Sequence, residues 1–304
     1  MSHLHNGLNM VEINTLVLGK TIGGFLSLVY IFYFIQLSSW ITRSVGDFMH
    51  LTLMPKTPIT MFHIMFLSLA CYASLKEITA IVRVNEFIAP LIFIMFWVTY
   101  LALVSEWSWE RFMPSFRLDL FNTMKETTDI LAIPFMDTAI CLTMIFPFMS
   151  TSKMKPVFSG ILFTATFISL MIFIMIGVIG ITRASHLTYP LFTVFQELRI
   201  YAFIEHVEAI VSIAVLYTVF FKLCVVYYNI VLGICTLFNI RNKTMISIPL
   251  IWVISGFALS NHTSLIDFRE WDKKYMFIYT MLYAVIIPIL LLIVTKLKRL
   301  KKAG

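Results

Sequence analysis

The chain has 304 residues, of which 60% are hydrophobic and 13% charged, with a formal net charge of +7. Average soluble domains hold about 45–50% apolar and about 25% charged residues, so a soluble fold of this size could not hide so much apolar surface, and lipid is the expected solvent. The positive charge does not imply nucleic acid as a partner: no basic stripe with interleaved aromatics lies outside the apolar runs, and basic residues gather on the cytoplasmic side of membrane proteins.

In chain order, residues 1–20 read as a cytoplasmic N-terminal segment. Eight runs follow, at about 22–41, 57–75, 86–105, 129–149, 157–181, 208–237, 245–260 and 275–295. Each approaches the length needed to cross about 30 Å of hydrocarbon. Helix is the expected state, because an isolated strand in lipid leaves its backbone unpaired. The runs also lack the alternation of outer-membrane barrels. The fold class is therefore all-α integral membrane, with one membrane domain over 1–304. Residues 76–85, KEITAIVRVN, are amphipathic and should extend the third span into the cytosol. Residues 106–128 read as a polar outer segment with Trp107 and Trp109 at the interface, and 182–207 as a second, long enough for a short surface helix or lid.

The basic cluster Lys296, Lys298, Arg299, Lys301 and Lys302 places the tail at 296–304 inside. Eight spans then put the N-terminus inside too. The inner loops at 150–156 and 238–245 carry only positive charge, as orientation by inner Lys and Arg requires. Cys71, Cys141, Cys224 and Cys235 all lie in apolar runs without a Cys-x-x-Cys pair, so buried thiols are expected rather than disulfides or zinc. No metal or other cofactor is implied. Gly19-x-x-x-Gly23 and Gly177-x-x-Gly180 suit close helix packing.

Two ionisable residues fall deep inside spans, Asp137 in the fourth and Lys222 in the sixth. A charge at the bilayer centre costs several kcal/mol unless paired or hydrated. Such residues either form an internal ion pair or serve a ligand or coupling role. Pro134, three residues before Asp137, removes a backbone donor and can break the helix; broken helices in transporters expose backbone groups to substrates and ions. Pro134, Phe135, Asp137, Thr138 and Lys222 are thus the candidate ligand-binding residues. Pro90 and Pro288 fit simple kinks better. Tyr189, Glu205 and Glu208 are candidates for an outer gate, although acids at a helix start also explain the two glutamates. There is no glycine-rich phosphate loop, no His-Glu-x-x-His and no paired acid/base constellation, so an enzyme is not expected.

Several stretches together resemble the spore germination permease family. LTYPLF at 187–192 precedes FIEHVEAI at 203–210 and VFFKLCVVYYNIVLGICTLF at 219–238. These are similar to the family's Tyr-Pro, its aromatic-aliphatic-Glu-Arg-aliphatic-Asp-Ala pattern, and its Val-Lys run into a Tyr-rich helix. His206 stands for the Arg and Glu208 for the Asp. AIPFMDTAICLTMIFPFM at 132–149 resembles the family's Phe-Pro-Phe-Gly-Glu segment, with Met136 for Gly and Asp137 for Glu. GDFMHLTLMPKTP at 46–58 resembles its Asp-Phe…Leu-Pro-x-Thr-Pro motif.

The resemblance implies membership of the amino acid–polyamine–organocation transporters. Their fold has ten helices in a five-plus-five (LeuT-like) inverted repeat, of which this sequence would carry helices three to ten. It implies the permease-like B subunit of a nutrient germinant receptor, with A and C subunits as partners and the inner spore membrane as location. The ligand would be a small amino-acid-like germinant. Two other functions fit the same pattern: a proton- or cation-coupled amino acid transporter, and a scaffold subunit that binds no ligand.

Overall fold

A computed structural model describes residues 7–113, 127–128, 131–149, 155–197, 207–261 and 264–303. Among them the regular structure is helical throughout, with no strand. Seven stretches of the described residues are long and apolar enough to cross a membrane: Lys20–Leu53, Ile78–Glu106, Leu131–Phe148, Lys155–Ile179, Ala209–Phe238, Lys243–Ser260 and Ile266–Lys298. The expected second span is the shorter apolar helix Ile59–Leu75. Its 17 residues rise about 25 Å at about 1.5 Å each, somewhat under a hydrocarbon thickness of about 30 Å.

The chain divides into two compact units. The first holds residues 1–81, 126–152 and 219–304. It opens with α1 (Met10–Leu18), started by a reciprocal cap: Asn9 Oδ1 accepts from the Glu12 amide at 3.0 Å, and Glu12 Oε2 accepts from the Asn9 amide at 2.8 Å. These residues lie in the stretch expected to be a cytoplasmic N-terminal segment, and Met10, Val11, Ile13, Asn14 and Val17 are buried. Gly19, at φ +86°, ends α1 and starts α2 (Lys20–Phe48). The hairpin is tight because Gly23 has no side chain; a Cβ there would sit 2.2 Å from the Asn14 carbonyl oxygen. The glycine pair thus divides its work, Gly19 turning the chain and Gly23 admitting close approach.

The first unit continues with α3 (Ile59–Leu75), which packs on α2. After the break at Leu131–Met136 comes α5 (Asp137–Ile145), and the unit is completed by residues 219–238 of α9 (Val207–Phe238), α10 (Lys243–Ser260), α11 (Leu265–Met281) and α12 (Ile287–Ala303). Polar side chains tie these helices where apolar surface meets apolar lipid and supplies little drive. Ser74 on α3 bonds Ser247 on α10 at 2.9 Å, and the Tyr227 hydroxyl donates to the Ser247 carbonyl. Lys298 donates to the Val17 carbonyl at the end of α1, an orphan acceptor of a helix C-terminus. The helix therefore continues through most of the expected basic tail.

The second unit holds residues 82–125 and 153–218. It contains the main part of α4 (Ile78–Leu103), then α6 (Lys155–Ile179), α7 (Ile181–His186), α8 (Pro190–Glu197) and the start of α9. The α4 helix does begin in the amphipathic stretch at 76–85, as its pattern suggests. Its core joins Phe96, Tyr100 and Leu103 of α4 to Val178 of α6 and to Val194 and Phe195 of α8. The described part of the expected second outer segment up to residue 197 thus holds two short helices, of which α8 is anchored by its own apolar face. Of the first outer segment, Trp107 packs on Phe173 at 5.5 Å between ring centroids, and the Ser108 amide donates to the Gly177 carbonyl at 3.0 Å. All four cysteines are free.

A Cβ at Gly177 would lie 1.8 Å from Trp107 Nε1. Gly177→Ala is expected to lower unfolding stability by about 1–3 kcal/mol through overpacking. Gly160→Ala on the same helix meets nothing within 4 Å and should be neutral or mildly stabilising. Thermal unfolding of both variants in detergent checks the contrast.

Candidate functional site

The site is built on a helix break. Leu131–Met136 is wound as a π segment in which Ile133 is extended (φ −125°, ψ 120°). The residue before proline is pushed out of the helical region by the ring of Pro134. Pro134 brings no N–H, and its carbonyl accepts from the Thr138 hydroxyl. The chain re-enters a regular helix at Asp137, the first residue of α5. An acid there faces the positive end of the helix dipole, and Asp137 Oδ1 accepts from the Thr138 amide at 2.7 Å.

Asp137 is fully buried at 0% exposure. Its other oxygen, Oδ2, receives Lys222 Nζ in a short, charged hydrogen bond. Lys222 lies midway along α9, with 30% of its side chain exposed. The two ionisable residues singled out in the apolar runs therefore meet directly. Pro134 and Phe135 are half-buried on the break, and Thr138 is exposed.

Four further groups, Tyr33, Cys141, Thr280 and Asn229, lie on the helices that carry the pair or pack beside it. Tyr33 of α2, at 0% exposure, is close enough to feel Asp137 and Cys141, and faces Thr280 of α11 without a well-formed hydrogen bond. Asn229 of α9 donates to the Cys141 carbonyl at 3.4 Å. The Tyr33 hydroxyl, Thr280 Oγ1 and Asn229 Oδ1 are buried without a hydrogen-bond partner among the described residues. From Tyr33 an aromatic ladder runs along α2 and α11. Its rings are Tyr33–Tyr279 at 5.7 Å, Tyr279–Trp40 at 5.7 Å and Trp40–Trp271 at 5.0 Å. Neither this ladder nor the buried Asn229 and Thr280 stands out in the sequence, since aromatic and neutral polar residues recur throughout the apolar runs.

The outer-gate candidates are placed less fully. Tyr189 lies in the second unit, half-buried, where its carbonyl accepts from the amide and hydroxyl of Thr193 and so starts α8. Glu205 lies outside the described residues. Glu208 falls in the first turn of α9, and its side chain lies outside the described part. No group of three or more His, Cys, Asp or Glu among the described residues could hold a metal ion.

A family model described as "Spore germination protein" matches residues 2–266. The chain belongs to the spore germination protein family. That is a family of permease-like membrane proteins, not of enzymes. Spore germination protein B2 of Bacillus subtilis (strain 168) is 24% identical over 245 residues, covering 79% of this chain and 65% of the relative. Spore germination protein KB of the same organism is 20% identical over 239 residues, covering 77% of this chain and 64% of the relative. The chain thus spans a little under two thirds of the length of these curated relatives. No solved structure matches it significantly. The matched stretch contains the whole Asp137–Lys222 site.

The pair is asymmetric, and its variants should be too. Lys222→Met leaves a fully buried carboxylate unpaired and is expected to cost about 3 kcal/mol, the lower end for breaking a buried pair. Asp137→Asn leaves an ammonium that can turn toward its exposed side, and should cost less. The double variant should recover part of the Lys222→Met loss, because it removes the stranded charge. Chemical denaturation of the four proteins in detergent measures the cycle.

Proposed function

We propose that this chain is the permease-like B subunit of a spore nutrient germinant receptor, sensing a small amino-acid-like germinant to trigger germination. The observation that carries this reading is a fully buried carboxylate paired with a mid-helix lysine at a helix break, within a spore germination family member. Ionisable residues inside a membrane are costly and mark substrate or ion sites, and broken helices supply free backbone groups beside them. The names of the two Bacillus subtilis relatives support a role in germination.

In this reading the germinant meets Pro134, Phe135, Asp137, Thr138 and Lys222. Tyr189, Glu205 and Glu208 remain the residues proposed for an outer gate. The partners are A and C receptor subunits, and the location is the inner membrane of the spore. The helices form one membrane domain with eight spans, corresponding to helices three to ten of a ten-helix inverted repeat.

Spores carrying Asp137→Ala, with the protein at its normal level in the inner membrane, should need at least about ten-fold more nutrient for half-maximal germination, since a lost charged hydrogen bond has this size, and Lys222→Ala should shift the dose as well. An unchanged nutrient dose response in both variants sinks the site assignment. Loss of response to nutrient with an intact response to a receptor-independent germinant supports it.

A further inference from the structure

We propose that the Asp137 carboxylate is a binding site for a small primary ammonium group, with Lys222 as its tethered competitor. Ligand binding exchanges the Lys222 head group for the ligand's own ammonium. This deepens the receptor reading above and rests on it for its physiological meaning.

The argument begins from donors and acceptors. A primary ammonium carries three N–H donors and no acceptor. Lys222 Nζ uses Asp137 as its one hydrogen-bond partner among the described residues. Beside that carboxylate lies the Tyr33 hydroxyl, with Thr280 Oγ1 next to it, and both are buried oxygens without a hydrogen-bond partner among the described residues. Each belongs to a residue at 0% exposure. Buried polar atoms are nearly always paired, so two orphans on the side of one buried carboxylate mark a site whose hydrogen bonds are completed by something else. Both can accept a hydrogen bond. An untethered ammonium can settle where one donor reaches Asp137 and another turns to the Tyr33 side of the site. The Lys222 head group, held on α9, makes only the first bond.

The two halves of the pair differ in mobility. Asp137 is fixed by the Thr138 amide and by its place at the start of α5. Lys222 is a point charge on a flexible four-carbon stem and keeps 30% of its side chain exposed, so it can leave without breaking another bond. Charge stays balanced throughout: one cation leaves the carboxylate as another arrives. The bare carboxylate, which burial disfavours strongly, is never left behind.

The test removes the tether. Lys222→Ala in the full chain, held in lipid nanodiscs, should unfold at a lower temperature than the parent. n-Propylammonium should restore it in a saturable way. Tetramethylammonium, with the same charge and no N–H, should not. Asp137→Asn/Lys222→Ala should not respond to either cation. Adding Tyr33→Phe to Lys222→Ala should weaken the rescue by roughly ten-fold, the worth of a hydrogen bond to a charged group. Lys222→Met, which retains the stem volume, repeats the test if the alanine variant does not fold. The proposal is overturned if neither variant responds to n-propylammonium, or if tetramethylammonium or the Asp137→Asn background responds equally. Because the readout needs no spores, the two readings fail separately. Absent rescue with an Asp137-dependent nutrient response overturns the exchange alone. Rescue with unchanged germination in Asp137 variants overturns the receptor site.

Discussion

Keeping one carboxylate charged at zero exposure is the constraint on which the first unit depends. Asp137 is out of reach of solvent, so its charge must be met by fixed donors and a cation. The Thr138 amide supplies one and Lys222 the other. This requires α9 to pass beside the start of α5. Asn229, two turns further along α9, reaches the Cys141 carbonyl one turn further along α5. The two helices are thus stitched at two points. The aromatic face of α2 then closes over the site through Tyr33, and α11 does so through Thr280 and Tyr279.

The break before Asp137 obeys the rule that backbone at membrane depth must satisfy its own polar groups. Pro134 has no donor to strand, and its carbonyl is taken by the Thr138 hydroxyl. The same side chain's backbone N–H holds the Asp137 carboxylate. Thr138 therefore repairs the break on one side and anchors the charge on the other. The break also packs against α11, the helix that carries the buried Thr280 and the Trp271 end of the aromatic ladder. Local disruption and polar burial are consequently concentrated in one place.

The helical class was legible in the sequence. Long apolar runs leave helix as the available state, and among the described residues seven helices are long and apolar enough to cross a membrane where eight spans were expected. The hydrophobic signal could not reveal α1, since nine residues are too few to stand out and its buried face includes Asn14. Asp137 and Lys222 stood out because ionisable residues in apolar runs are rare. Tyr33, Thr280 and Asn229 did not, because hydroxyl and amide groups occur throughout these helices. A helix that is apolar all round has no stripe to show which of its polar residues points inward. Packing decides that question, and a single sequence does not contain it. The outer-gate glutamates fall where the described structure is silent about side chains.

A tethered competitor also sets a threshold. A group on a short flexible stem presents itself to its partner at an effective concentration on the order of mM. In the proposed exchange a free ammonium displaces Lys222 only when its own concentration, weighted by the extra hydrogen bonds on the Tyr33 side of the site, exceeds that value. Those bonds are what let a small ligand win at lower concentration, and they reward a primary ammonium over a cation without N–H groups. A lysine suits the task better than an arginine would, because a planar guanidinium held by two parallel bonds is harder to release. The same pair that makes the buried carboxylate tolerable in lipid therefore also determines how much ligand is needed to take its place.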